Sequence, residues 1–212
     1  MARSEARSQL CDDPRIEMAQ YFLSPDEAAH VIALARDDLG EAGVSLDSGI
    51  GKSSGRTAWN AWIQHDHDAV VHALCERLAE LAGHPLAHAE SLQVVYYAPG
   101  GEYRAHYDAY DVSTERGQRY TARGGQRLCT AILYLNNVDA GGRTRFPRLD
   151  LAIRPELGNV LVFDSCEAGS RRVHPLSLHA SEPLEAGEKW IANLWFRERP
   201  YRADGAATGP AA

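Results

Sequence analysis

No stretch of the 212-residue chain approaches the ~18 consecutive apolar residues that a membrane-spanning helix needs, and the polar, charged run from Met1 to Asp13 holds no apolar core of an export signal. The four cysteines, Cys11, Cys75, Cys129 and Cys166, form no CxxC and no tight pattern. Reduced thiols are therefore expected rather than disulfides, and the chain reads as soluble and cytoplasmic, with no membrane partner. A basic stripe is also missing: the formal net charge is −7 and the isoelectric point near 5.7, which argues against a nucleic-acid partner recognised by charge. The arginine clusters 116/119/123/127, 143/145/148 and 171/172 read mostly as solvated loop charge. The glycine pairs at 100–101, 124–125 and 141–142 lack the strand–GxGxxG–helix setting of a nucleotide loop. No nucleophilic Ser, Cys or Thr is paired with a base in any visible signature.

What is present suffices for one domain with a sizeable core. Its expected organisation is a flexible N-terminus at 1–13, a domain at 14–202 and a small-residue, disordered tail at 203–212. Ser24-Pro25-Asp26-Glu27 is a helix start, with Ser as N-cap, Pro at the first helical position and Glu27 placed for a capping box. A second helix is expected from about Asp68 to Ala82, ended by Gly83. From Ser91 the pattern turns to strands: 92–98, 103–108, 128–135, 144–146, 159–163, 176–181 and 189–197, with a long polar loop at 109–126. Helices first and many short, Gly/Pro-punctuated strands after them predict an α+β fold, a sandwich or jelly roll buttressed by N-terminal helices, with a double-stranded β-helix (jelly roll) core as the expected form.

The chemistry gathers at His106-Tyr107-Asp108. Alternation along a strand places the imidazole and the carboxylate on one face. A distant histidine would complete two histidines and a carboxylate, the facial set of non-haem Fe(II) oxygenases. His174 and His179 are the only histidines after Asp108. Residues 177–197 read as a hairpin that sets Lys189 on the strand paired with that of His179, on a face shared with Asn193, Trp195 and Arg197. A buried lysine needs an anion, so His179 is the expected third ligand and His174 a surface residue. The string His65-Asp66-His67-Asp68 reads as a helix-capping loop rather than a second metal site.

The stretches LQVVYYAPGGEYRAHYD (92–108), GGQRLCTAILYLNNVDAGGRTRFP (124–147) and LHASEPLEAGEKWIANLWFRE (178–198), with GRTAW at 55–59, resemble in order the catalytic domain of the prolyl 4-hydroxylases, within the Fe(II)/2-oxoglutarate oxygenases. The resemblance implies iron on His106, Asp108 and His179, and 2-oxoglutarate paired through its distal carboxylate with Lys189. It implies hydrogen bonds to the cosubstrate from Tyr97 and Thr144, a pocket wall at Trp195, O2 as oxidant and ascorbate as an accompanying reductant. Tyr103, Arg127, Glu90 and Arg56 match positions near the family's substrate groove; the plainer reading of Arg127 and Arg56 is a surface ion pair. The 109–126 loop matches a mobile substrate cover. Asp108 favours hydroxylation over halogenation. Three departures, Ala58, Arg143 and Arg197, touch substrate recognition and lean toward a small or non-collagen substrate. The expected activity is hydroxylation of an aliphatic C–H in a prolyl-type peptide or amino acid, with release of succinate and CO2. Tailoring of a free amino acid or other small molecule is the alternative, and a non-catalytic metal-binding module a third reading. The oligomeric state stays open.

Overall fold

The computed structural model describes residues 6–46, 49–51 and 55–201. In chain order the elements are β1 (Ala6–Cys11), β2 (Ile16–Gln20), α1 (Pro25–Arg36), β3 (Gly40–Glu41), β4 (Val44–Leu46), β5 (Gly49–Gly51), β6 (Trp59–Ile63), α2 (Ala69–Ala82), β7 (Leu92–Tyr97), β8 (Tyr103–His106), α3 (Glu115–Thr121), β9 (Arg127–Tyr134), β10 (Ala140–Gly141), β11 (Thr144–Phe146), β12 (Leu151–Ile153), β13 (Val160–Asp164), β14 (His179–Ser181), β15 (Leu184–Ala186) and β16 (Lys189–Arg197). A major sheet orders its strands β1-β2-β13-β9-β16-β7-β6-β3, and a minor sheet β12-β11-β14-β8; the pairings are antiparallel. This is the expected jelly roll.

Alternation on the major sheet divides the core in two. On β16, Trp190, Ala192, Leu194 and Phe196 face α1 and α2 and join Val31, Leu74 and Leu78 in one apolar cluster. The opposite face of the same strands contributes Val95, Tyr97, Ile132 and Ile191 to a second cluster between the sheets, closed by Phe146 and Phe163. The helices start and stop as their residues dictate. Ser24 and Glu27 form the reciprocal capping box, Asp68 accepts from Val71 N, and Gly83 ends α2 at φ 75°. Cys75 and Cys129 are core residues, and all four cysteines are unpaired.

Four expectations are corrected. Residues 6–11 are not a loose end: β1 pairs antiparallel with β2, with a register shift between Gln9 and Cys11, because an exposed polar strand needs only a neighbour's free main-chain edge. The first half is not purely helical, since β2 and β6 complete the major sheet. The 109–126 segment contains α3, with Thr114 as N-cap. Finally, β14 and β16 do not form a hairpin. β14 pairs with β8 and β11, whereas β16 lies between β7 and β9 in the other sheet. The intervening β15 turns aside to pair with β10. The tail at 203–212 lies outside the described residues.

Candidate metal centre and cavity

His106 ends β8 and His179 begins β14, and the two stand directly opposite in the minor sheet. Asp108 lies beyond the end of β8, not on it as the alternation argument required. The chain bends there, and the carboxylate is fixed by a bond from Thr130 Oγ1 (2.8 Å) on β9. Thr130 is in turn within 3.2 Å of Ser165 Oγ. Among the described residues, His106, Asp108 and His179 bring their ligand atoms within 4.8 Å of one another. A register shift on β8, three residues against two on β14, places Tyr103 beside His106, and their rings stack at 3.6 Å between centroids.

The hydrogen bonds prepare these side chains for a cation. His106 Nδ1 faces Arg104 O at 2.8 Å and His179 Nδ1 faces Ser177 O at 3.0 Å. A carbonyl only accepts, so each Nδ1 carries a proton, and in the neutral ring this tautomer leaves the Nε2 lone pair for a metal. Those Nε2 atoms lie 3.7 and 3.6 Å from the Asp108 carboxylate oxygens. Three acceptors thus converge with no donor between them. Burial, then His179, lowers His106 to about 3. Burial would raise Asp108, but His179, His106 and Arg127 bring it to about 2. A neutral imidazole facing an ionised carboxylate is the protonation state that ligation needs, so the donor set fits a divalent, nitrogen-and-oxygen-liganded ion.

A cavity of about 1140 Å³ opens over these residues. Its inner end is Lys189, fully buried, whose Nζ donates to Gly142 O (2.6 Å) and Ser181 Oγ (2.8 Å). Lys189 therefore meets β14 from across the sandwich, which preserves the expected proximity to His179 by a different route. Gly142 has φ 63°, and a Cβ there would sit 3.3 Å from Lys189 Cδ, so this close approach requires glycine. Burial pulls the ammonium down to about 7, with Glu182 acting weakly against it. Tyr97 lies beneath, its ring 5.0 Å from Nζ, and burial raises its pKa so that it stays a phenol. Thr144 Oγ1 accepts from Tyr134 OH at 2.8 Å, which leaves the Thr144 hydroxyl proton free to donate. The alternation argument separates the two tyrosines as expected: Tyr96 packs on Trp190, in the helix-side core.

The outer part of the cavity is walled by charge. Arg127 grips Glu90 through Nε (2.6 Å) and Nη2 (2.8 Å), and lies flat over Trp195 at 3.9 Å. Arg197 Nε stands 2.6 Å from the same carboxylate. Burial opposes ionisation of Glu90, but Arg127 and Arg197 lower its pKa. The surface ion pair read for Arg127 is thus a largely buried cluster, with Glu90 and Arg197 buried and Arg127 partly so. Arg56 bonds Gly43 O (3.1 Å) and Gln93 Oε1 (3.4 Å), over the Tyr103 ring at 4.7 Å. All the expected site residues line this cavity. Of the three departures, only Arg197 does.

His174 is not a surface residue. Its buried ring accepts from Leu176 N at 3.1 Å and faces Asp13 at 3.2 Å, capping the turn that leads to His179. Asp68 caps α2 and is bonded by His30 at 2.7 Å, as a capping loop should be. Sequence reasoning missed Ser181, Thr130 and Gln93 as site residues, gave Asn193 no role, and took Arg197 only as a departure touching substrate recognition. The available signal was a polar residue on the inward parity of an otherwise apolar strand.

The profile of the 2OG-Fe(II) oxygenase superfamily matches residues 92–197. A protein of Acanthamoeba polyphaga mimivirus named "Putative prolyl 4-hydroxylase" is 37% identical over 192 residues, covering 90% of this chain and 78% of that protein. Prolyl 4-hydroxylase 2 of Arabidopsis thaliana is 31% identical over 211 residues, covering 89% and 69%. Among solved structures, the viral collagen prolyl hydroxylase vCPH of Paramecium Bursaria Chlorella virus-1, in its 2OG complex, superposes with a TM-score of 0.70. It is 28% identical, over 89% of this chain and 98% of that one.

Proposed function

The chain belongs to the 2OG-Fe(II) oxygenase superfamily, and from that premise we propose that it hydroxylates prolyl residues of a peptide or protein. His106, Asp108 and His179 would hold Fe(II), and Lys189 the distal carboxylate of 2-oxoglutarate. The observation that carries the reading is the convergence of three proton-free donors in the cavity whose inner end is a buried lysine. When bound, iron and 2-oxoglutarate supply the oxidation: O2 and the cosubstrate give succinate and CO2, and one oxygen atom enters the substrate C–H.

The residues of the chain bind, aim and exclude. Lys189 offers its charge at the closed end of a dry site, with Tyr97 and the Thr144 hydroxyl as neighbouring donors. Ile132 and Ile191 line the same space and keep water from it. Thr130 holds the Asp108 carboxylate, and the carbonyls of Arg104 and Ser177 hold the imidazoles, so no ligand has to turn before use. Trp195, braced by Arg127, walls the substrate side, with Tyr103 opposite.

A cavity of about 1140 Å³ lies just above the ~300–1,000 Å³ of typical small-ligand sites, and has room for a substrate beside the cosubstrate. Ala58 and Arg143 lie outside its lining, which removes two of the reasons for preferring a small molecule. Residence in the cytoplasm and use of ascorbate belong to the same proposal. The four unpaired cysteines suit a reducing compartment, and no helix among the described residues is long and apolar enough to cross a membrane. The test is succinate release with Fe(II) and 2-oxoglutarate against prolyl peptides and free amino acids, with mass spectrometry of the substrate. Peptides gaining one oxygen atom support the reading. Turnover confined to a free amino acid rejects it.

A further inference from the structure

Gln93 and Asn193 are direct cross-strand partners on β7 and β16. Both are buried, in strands otherwise apolar or aromatic around them, and both line the cavity between Lys189 and Trp195. Their mutual bonds fix which atom is which. A guanidinium only donates, so the Gln93 atom 3.4 Å from Arg56 Nη2 is the carbonyl oxygen. The same oxygen accepts from Asn193 Nδ2 at 3.2 Å. That uses the Gln93 acceptor and an Asn193 donor. The Gln93 Nε2 donor, the Asn193 Oδ1 acceptor and a second N–H of Asn193 remain, without a hydrogen-bond partner among the described residues. A pair kept only to tie two strands together could have been apolar in this core.

A donor beside an acceptor has a defined complement. In an extended chain the N–H and C=O of one residue point to the same side, as they do in an antiparallel ladder. Asn193 Oδ1 is the one amide oxygen of the pair left free, so the ammonium of a free amino acid, which needs several acceptors, suits this pair poorly. Proline has no N–H, so the residue taken is not the target proline itself. Accordingly we propose that Gln93 and Asn193 form a specificity-determining amide clamp, which takes the backbone C=O and N–H of one non-prolyl residue neighbouring the target in an extended substrate. Arg56 is the positioning residue that holds the Gln93 amide in this orientation. The inference rests on the prolyl-peptide reading above and adds a requirement to it: substrate chains of consecutive prolines are poor, because they offer no N–H.

The test is steady-state hydroxylation of a prolyl peptide and of its depsipeptide series, in which one backbone N–H at a time on either side of the proline becomes an ester oxygen. An ester removes the donor without adding bulk. Wild-type enzyme is expected to show one position at which the peptide KM rises roughly tenfold or more, with the KM for 2-oxoglutarate unchanged. Gln93→Glu keeps an oxygen toward Arg56 and replaces the free donor by an acceptor. It is expected to raise the peptide KM to a similar degree, again without moving the KM for 2-oxoglutarate. Equal KM values across the depsipeptide series with wild-type enzyme overturn the clamp, whether or not the variant folds. No hydroxylation of any prolyl peptide overturns the substrate reading, and the clamp with it.

Discussion

Lys189 holds a charge that its burial strongly opposes. Its ammonium is fully buried on two neutral acceptors, and burial brings it to about 7. A carboxylate placed beside it favours the charged form, so binding of 2-oxoglutarate above pH 7 must be accompanied by proton uptake. The sign follows: affinity is full below about pH 7 and falls as pH rises, by up to ~tenfold per unit until the pKa of the complex is reached. Titration calorimetry in buffers of different ionisation heat reads that uptake directly, and pH-independent affinity with no proton uptake would contradict it. Lys189→Met is expected to weaken 2-oxoglutarate by roughly 100- to 4000-fold, the loss of a buried charge partner worth ~3–5 kcal/mol. Asp108→Ala should abolish hydroxylation; near-normal turnover in that variant would remove Asp108 from the metal. These residues were legible because HxD, a late histidine and a lone lysine in an apolar strand are unusual by type. Gln93, Asn193 and Ser181 were not. Their meaning comes from what stands opposite them, and pairing partners far apart in sequence are not written in either strand alone.

Among the elements, α3 and its flanks bear most on substrate access. The 109–126 segment is anchored at its end by Gln126, whose side chain bonds Tyr110 N (2.9 Å), Tyr110 O (2.6 Å) and Arg171 O (3.1 Å). Arg197 donates to Tyr120 O (2.9 Å) and Gly125 O (2.8 Å) while touching Glu90. One guanidinium thus joins the covering segment to the charged wall. Arg197→Ala is expected to speed amide exchange across 115–125 and to raise the substrate KM, because two carbonyls and a buried carboxylate lose their partner at once. Exchange unchanged in that segment would show that Gln126 alone holds it. The elements with strong local signals, α1, α2, β7, β9, β11 and β16, were readable to within a residue or so. β1, β12 and β15 were not, since short strands with little apolar alternation are defined by the edge they join. The false β14–β16 hairpin came from a real turn signal at 185–188 that serves β15 and β16 in different sheets.

At the scale of the whole molecule, the minor sheet brings both histidines and the major sheet brings Lys189, Trp195 and the threonine that holds Asp108. A cosubstrate coordinated at one end and salt-bridged at the other would tie the two sheets together. Thermal unfolding should therefore shift more with Mn(II), as an inert metal, and 2-oxoglutarate together than with either alone. At ~100 times Kd the ligand adds about 2.7 kcal/mol, roughly 5–10 °C for a domain of this size. In Lys189→Met the metal-only shift should persist and the added shift from 2-oxoglutarate should vanish. A jelly roll was foreseeable from the strand count, whereas the division of labour between its layers needed the register.

The near-neutral lysine also makes the resting pocket chemically reactive. Burial lowers the Lys189 ammonium to about 7, which favours the unprotonated amine when no carboxylate lies beside it, the form that attacks carbonyls and activated esters. A small electrophile admitted to that closed end would modify this amine ahead of Lys52, the one other lysine of the sequence, and saturating 2-oxoglutarate would shield it. Covalent labelling could then serve as an occupancy gauge, and as the starting point for an irreversible inhibitor aimed at the empty enzyme.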